Sequence, residues 1–188
     1  MSVPTYTRRA LAFGAFGLTA AVAGGALRAR DLEPARRLEL LNVHSGERAS
    51  VEFGADDSAP GSSGLTPQSL AQLRHVLRDY RSGQEHEMDV RLFVLLRDLA
   101  NAAGVAPKYE VISGYRSAAT NAKLRADGHA VAEHSLHMEG RAIDVRLESY
   151  SLERLRDLAL AARRGGVGYY PRSDFVHIDT GRVRSWGE

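Results

Sequence analysis

The chain has no cysteine among its 188 residues, so no disulfide supports it. That absence leaves the compartment open, because a single domain of roughly 100–200 residues buries enough core to stand in a reducing cytoplasm or in a periplasm. Also missing is any Arg/Lys stripe interleaved with aromatics, which argues against a nucleic-acid partner. Nor does one sign of charge dominate: 25 basic residues face 23 acidic ones, and without Arg8 and Arg9 the two numbers are equal. No Gly-x-Ser-x-Gly elbow occurs, so Ser113 and Ser135 read as residues that fix turns and not as nucleophiles. The histidine spacing fits no single-helix HExxH site either.

What is present begins with the N-terminus. Polar residues and the pair Arg8-Arg9 precede the weakly apolar stretch Ala10 to Leu27, and Ala21-Val22-Ala23 offers a small-x-small cleavage site. Residues 1–27 therefore read as an export signal cleaved after Ala23. The context Thr7-Arg8-Arg9-Ala10-Leu11 looks like a twin-arginine signal that lacks its downstream basic residue. An uncleaved leader would instead tether the protein to the membrane. Both readings put the domain outside the cytoplasm, in the periplasm or cell envelope, and neither expects stable membrane insertion of the mature domain. Residues 28–37 form a charged, Pro-containing linker, and 38–188 form one domain.

Within that domain, Leu38 to His44 and Ser50 to Phe53 read as a strand pair joined through Ser45-Gly46-Glu47-Arg48. Gly54 to Gly64 is a Gly/Ser/Asp-rich surface loop. Thr66-Pro67 opens a helix whose apolar stripe is Leu70, Leu73, Leu77 and Tyr80. Asp89 opens a second, with Leu92, Phe93, Leu95, Leu96 and Leu99 inward and Gly104 at its end. Tyr109 to Ile112 is a short strand turned outward by Ser113-Gly114, followed by a helix from Ser117 to Ala126, closed by Gly128, and a loop to Gly140. Leu152, Leu155, Leu158, Ala159 and Ala162 stripe a last helix ending near Gly165-Gly166. The sum is an α+β domain: a small, mainly antiparallel sheet with helices on one side and a polar face left for chemistry.

Two strands carry that polar face. In Ala142 to Leu147 the alternation puts Ile143, Val145 and Leu147 on one side and Asp144 on the other; in Phe175 to Asp179 it sets His177 against the Val176/Ile178 face. With His137 folded back by a turn at Glu139-Gly140, the three side chains fit one divalent metal, and a shell of two histidines and one aspartate leaves zinc a fourth position for water. Spacing alone leaves a second reading open, a hydrogen-bonded polar cluster with no metal.

Ser135-Leu136-His137-Met138-Glu139-Gly140-Arg141-Ala142-Ile143-Asp144 is an SxHxxGxAxD motif. It resembles the metal motif of peptidase family M15, the D-Ala-D-Ala carboxypeptidase and dipeptidase superfamily. The segments LNVHSGE, SGYRS, GGVGYYPRSDFVHID and Ser185-Trp186, in the same order, look like the branch containing murein endopeptidase K. The similarity spans Leu38 to Trp186. It implies a hedgehog/D-Ala-D-Ala peptidase-like fold, Zn2+ held by His137, Asp144 and His177, and hydrolysis of peptide bonds in peptidoglycan stem peptides or cross-links. Candidates for the remaining roles stand beside it. Asp174, three residues before His177, stands where related carboxypeptidases place a Glu, and His134 is the second candidate for general base. Arg116 is the candidate clamp for a substrate carboxylate or oxyanion, against a scaffold ion pair as the plainer reading. His44, His75, His86 and His129 read as ordinary surface or hydrogen-bonded histidines, while Tyr169 and Tyr170 either line a groove or pack. The competing function is a non-enzymatic, zinc-stabilised cell-wall binding module, which would need a fourth protein ligand.

Overall fold

The computed structural model describes residues 35–54, 64–129 and 131–187. The leader, most of the linker and nearly all of the Gly54 to Gly64 loop lie outside the described residues. Seven strands form one sheet among those described: β1 Arg37–Asn42, β2 Arg48–Glu52, β3 Lys108–Ser113, β4 Ala142–Leu147, β5 Gly166–Tyr170, β6 Phe175–Asp179 and β7 Arg184–Gly187, in the order β2-β1-β3-β4-β6-β5-β7. The central pairs β3/β4, β4/β6 and β5/β6 are antiparallel, as is β1/β2, while β1/β3 and β5/β7 are parallel.

Helices α1 (Pro67–Val76), α2 (Val90–Ala103) and α4 (Leu152–Ala162) cover the apolar face. Their stripes meet Leu38, Leu40, Val51, Tyr109, Val111, Ile143, Val145, Val176 and Ile178, which with Phe53 and Phe93 make one continuous core. Thr66, Asp89 and Ser151 cap the three N-termini with side-chain oxygens, and Gly104 ends α2 in the left-handed conformation. Tyr109, buried among these side chains, donates its hydroxyl to the Leu96 carbonyl at 2.7 Å.

The first helix stops sooner than its stripe predicts. Leu77 is its C-cap and remains fully buried, but its carbonyl accepts the amide of Tyr115 at 2.8 Å instead of continuing the helix. Tyr80 therefore leaves the core and stacks on His44 with ring centroids 3.9 Å apart. The turn that follows is built on Asp79. One carboxylate oxygen accepts from the Ser117 amide at 3.0 Å, the Ser117 hydroxyl at 2.6 Å and the Thr120 hydroxyl at 2.5 Å, fastening the N-terminus of α3 (Ala118–Ala126). Burial alone would raise the Asp79 pKa, but the hydrogen bonds from Ser117 and Thr120 outweigh it and hold it down to about 2. A depressed folded-state value means stability that is complete above the unfolded pKa and is lost as pH falls through the folded one. Asp79 thus contributes about 2 kcal/mol that disappears between about pH 4 and pH 2. Chemical denaturation of Asp79→Asn across that interval is expected to show a lower plateau and a shallower acid limb than the parent.

Strands β5 and β7 carry little sequence signal. Three glycines, Gly165, Gly166 and Gly168, interrupt the β5 region, and β7 is a short edge strand with exposed residues.

Candidate metal centre

The site is a row of residues on the open face of the sheet. Register pairs Ser113 with Asp144, Asp144 with His177, His177 with Gly168, and Gly168 with Trp186. Ser113 joins that row because an irregularity between Val111 and Ser113 inserts Ile112 as an extra residue, a bulge that re-aims the end of β3. His137 comes from a single 3-10 turn, Leu136–Glu139, whose N-cap Ser135 accepts the His137 amide at 3.4 Å and whose C-cap Gly140 has φ 65°. A side chain at Gly140 would run into the Glu87 carbonyl, so the tight return toward β4 requires glycine.

Each imidazole is fixed from behind. His137 Nδ1 donates to the Gly114 carbonyl at 2.7 Å, which leaves Nε2 as the free nitrogen. His177 Nε2 faces Asp179 Oδ2 at 3.2 Å, which leaves Nδ1 free. These two nitrogens and Asp144 Oδ1 form a triangle with edges of 3.2 Å between the nitrogens, 3.2 Å from His137 and 2.8 Å from His177 to the carboxylate. Donors about 2.0–2.1 Å from a tetrahedral zinc stand about 3.3 Å apart, so the triangle is one face of such a tetrahedron with little adjustment. The donor set fits the ion in kind as well as in spacing. Among the described residues the group has three members, His137, Asp144 and His177, and no fourth protein ligand closes it. An open shell is the catalytic arrangement, and the closed site that a binding module would need is not formed by these residues.

Electrostatics agree with ligand roles for His137 and Asp144. Burial pushes His137 down to about 4, with Asp144 only partly opposing it, so that ring is neutral at physiological pH. Burial also opposes ionisation of Asp144, but the two histidines beside it hold its carboxyl well below the usual range. For His177, the hydrogen bonds to Asp144 and Asp179 overcome burial and raise its pKa. Asp179 is itself fully buried, receiving Arg184 in a two-pronged contact at 2.7 and 3.1 Å and the amides of Gly166 and Gly181 at 2.9 and 2.8 Å. A histidine ligand whose second nitrogen meets a carboxylate is held in one tautomer and orientation. Asp179 is the residue that the sequence reading missed. Its signal was the HID spacing, which in a strand places residues two apart on one face.

The other candidates are placed as follows. Arg116 is buried; its Nη2 donates to Asp144 Oδ2 at 2.9 Å and its Nε to Ser113 Oγ at 2.9 Å, so it steadies the second oxygen of the aspartate. It also lines two cavities that flank the triad, of about 500 and 200 Å³. His134 lines the larger one together with His137 and His177. Asp174 sits in the turn between β5 and β6 with φ 56°, its carboxylate held by Arg146 at 2.6 Å, and lines neither cavity. His44, His75 and His86 are engaged with Tyr80, Glu85 and Tyr115 respectively, whereas His129 lines the smaller cavity. Of the two tyrosines, Tyr170 lines both cavities and Tyr169 receives the Arg156 guanidinium over its ring at 4.5 Å.

A mixed sheet with helices on one face and an open His-His-Asp centre on the other is the arrangement that the resemblance to zinc peptidases of the hedgehog/D-Ala-D-Ala peptidase type implies. Comparison with known proteins narrows this. The profile of the peptidoglycan L,D-endopeptidase MepK family matches residues 31–186. The Escherichia coli K12 peptidoglycan L,D-endopeptidase MepK is 42% identical over 180 residues, covering 95% of this chain and 96% of that protein. The probable peptidoglycan L,D-endopeptidase MepK of Haemophilus influenzae is 38% identical over 181 residues, covering 95% and 94%. No solved structure gives a significant match. The chain belongs to this family of M15 peptidoglycan endopeptidases, and the His137/Asp144/His177 triad is its zinc site.

Proposed function

We propose that the protein hydrolyses L,D peptide bonds in peptidoglycan cross-links, working in the cell envelope. The observation that carries this is the three-ligand centre, open toward a cavity of about 500 Å³, in a chain similar to peptidoglycan L,D-endopeptidases over 95% of its length. When bound, zinc lowers the pKa of a water and polarises the scissile carbonyl. The chain's own residues do the rest. Gly114 and Asp179 hold the imidazoles so that their free nitrogens meet Asp144, and Arg116 keeps the aspartate turned toward them. His134, lining the same cavity as both histidine ligands, accepts the proton from the attacking water on a ring nitrogen. Asp174 is the alternative acceptor and would first have to leave Arg146. Digestion of purified cross-linked muropeptides, with fragments identified by mass spectrometry, tests the assignment. Cleavage at L,D bonds is expected, and products cut only at D,D bonds, or no products, would overturn it.

Residues 1–27 serve as the export signal, followed by a linker at 28–37 and the peptidase domain at 38–188. The support is the Arg8-Arg9 pair before the Ala10 to Leu27 stretch, and a peptidoglycan substrate that lies beyond the cytoplasm. Among the described residues no helix is long and apolar enough to cross a membrane. Lys substitution at both Arg8 and Arg9 is expected to block delivery to the periplasm in a fractionation assay. Undiminished delivery would reject the twin-arginine route.

A further inference from the structure

Trp186 is the single tryptophan of the chain, and 37% of it is exposed on the edge strand β7. Its position follows from Gly168. The two residues are register partners, and a Cβ on Gly168 would come within 2.8 Å of Trp186 Cε2 and 2.9 Å of Tyr170 Cε2. The indole therefore lies across a strand position that has no side chain, beside the His177 ring at a centroid distance of 5.1 Å. Its Nε1 donates to the Tyr170 hydroxyl at 2.7 Å, and the Arg184 guanidinium, itself held by Asp179, lies over the ring at 4.6 Å. A ring fastened at these points loses little freedom when something packs on it.

Core packing does not account for a large apolar side chain left partly open next to a metal centre. The cavity that Trp186 lines is also lined by Tyr170, Val131, Ala132 and Leu136. Its two arginines already have carboxylate partners, Arg116 on Asp144 and Arg184 on Asp179, so this wall offers apolar contact more than free positive charge.

We propose that Trp186, anchored by Tyr170, is a substrate-binding residue: a fixed shelf beside the zinc ligands that takes the aliphatic side chain of the stem-peptide residue next to the scissile bond. This rests on the peptidoglycan reading above. The lone tryptophan also makes the test direct, since intrinsic indole fluorescence reports from the shelf alone. In the zinc-loaded protein, a muropeptide dimer carrying a reduced, uncleavable amide is expected to change that fluorescence saturably; a flat titration would overturn the proposal. Trp186→Ala is expected to raise KM about tenfold with kcat within about threefold and zinc content unchanged, and Trp186→Phe to recover most of the loss. Gly168→Ala, which displaces the ring without removing it, should raise KM in the same direction. A substrate whose aliphatic side chain is cut back to alanine should lose a similar factor with the parent enzyme and nothing more with Trp186→Ala. Unchanged KM in Trp186→Ala, or loss of zinc from it, would overturn the proposal, the latter by making Trp186 a support for His177. If the parent protein cleaves no muropeptide at all, the peptidoglycan reading falls first and this inference falls with it.

Discussion

His177→Ala is expected to yield a folded protein that purifies with little zinc and cleaves muropeptides about 10³-fold or more slowly than the parent. The fold should survive because the groups around the lost ring keep other partners. Asp144 retains Arg116 at 2.9 Å, and Asp179 retains Arg184 and the amides of Gly166 and Gly181. What is lost is one corner of the donor triangle, and two remaining ligands cannot hold zinc against water and chelators as three do. Metal analysis of the purified variant, with circular dichroism as a check on folding, decides the point. Stoichiometric zinc together with parental turnover would reject His177 as a ligand. Added zinc should restore a chelator-treated parent but not the variant.

The second large effect belongs to the proton acceptor. His134→Ala is expected to lower kcat by roughly 10²–10⁴-fold with zinc still bound, the range by which general base catalysis usually contributes. Asp174→Asn should leave kcat much nearer the parental value, since the Asp174 carboxylate is taken up by Arg146 in an exposed turn. The pair is informative in both directions. A large kcat loss in Asp174→Asn with a small one in His134→Ala would reverse the assignment and require the Arg146 contact to open during turnover. Zinc content must be measured in each variant, because His134 lies three positions from the ligand His137.

Much of this site could be read from the chain because its geometry is local. Asp144 and His177 stand in strands whose alternation assigns each side chain to a face, and Asp89, Ser117 and Gly104 mark helix ends through short-range hydrogen bonds. What escaped the sequence depends on partners far along the chain. Arg116 could be seen as a clamp or a scaffold ion pair, and its bond to Asp144, 28 residues away, is made only in the folded sheet. Strand alternation puts Asp179 on the face of His177 but does not name its partners: the Gly166 amide at the start of β5, the Gly181 amide just past β6, and Arg184. Strand β5 gave no alternation because glycine occupies the positions where Trp186 and Asp179 need room. The end of α1 likewise answers to a distant amide, that of Tyr115, and not to the Leu77 and Tyr80 spacing that suggested another turn.

The row that runs Ser113, Asp144, His177, Gly168, Trp186 crosses five strands at right angles to the chain. A one-residue slip between any two of those strands would turn one member of the row to the packed face, since strand side chains alternate. Of these strands β4 and β6 carry zinc donors, Asp144 and His177, so their native pairing is what keeps both on the open face. A ligand that binds one arrangement stabilises that arrangement by RT ln(1 + [L]/Kd) and gives nothing to its competitors. An ion held by Asp144 and His177 would thus favour, in free energy, the native β4/β6 alignment over a shifted one, at the centre of the sheet, where an error would be hardest to undo.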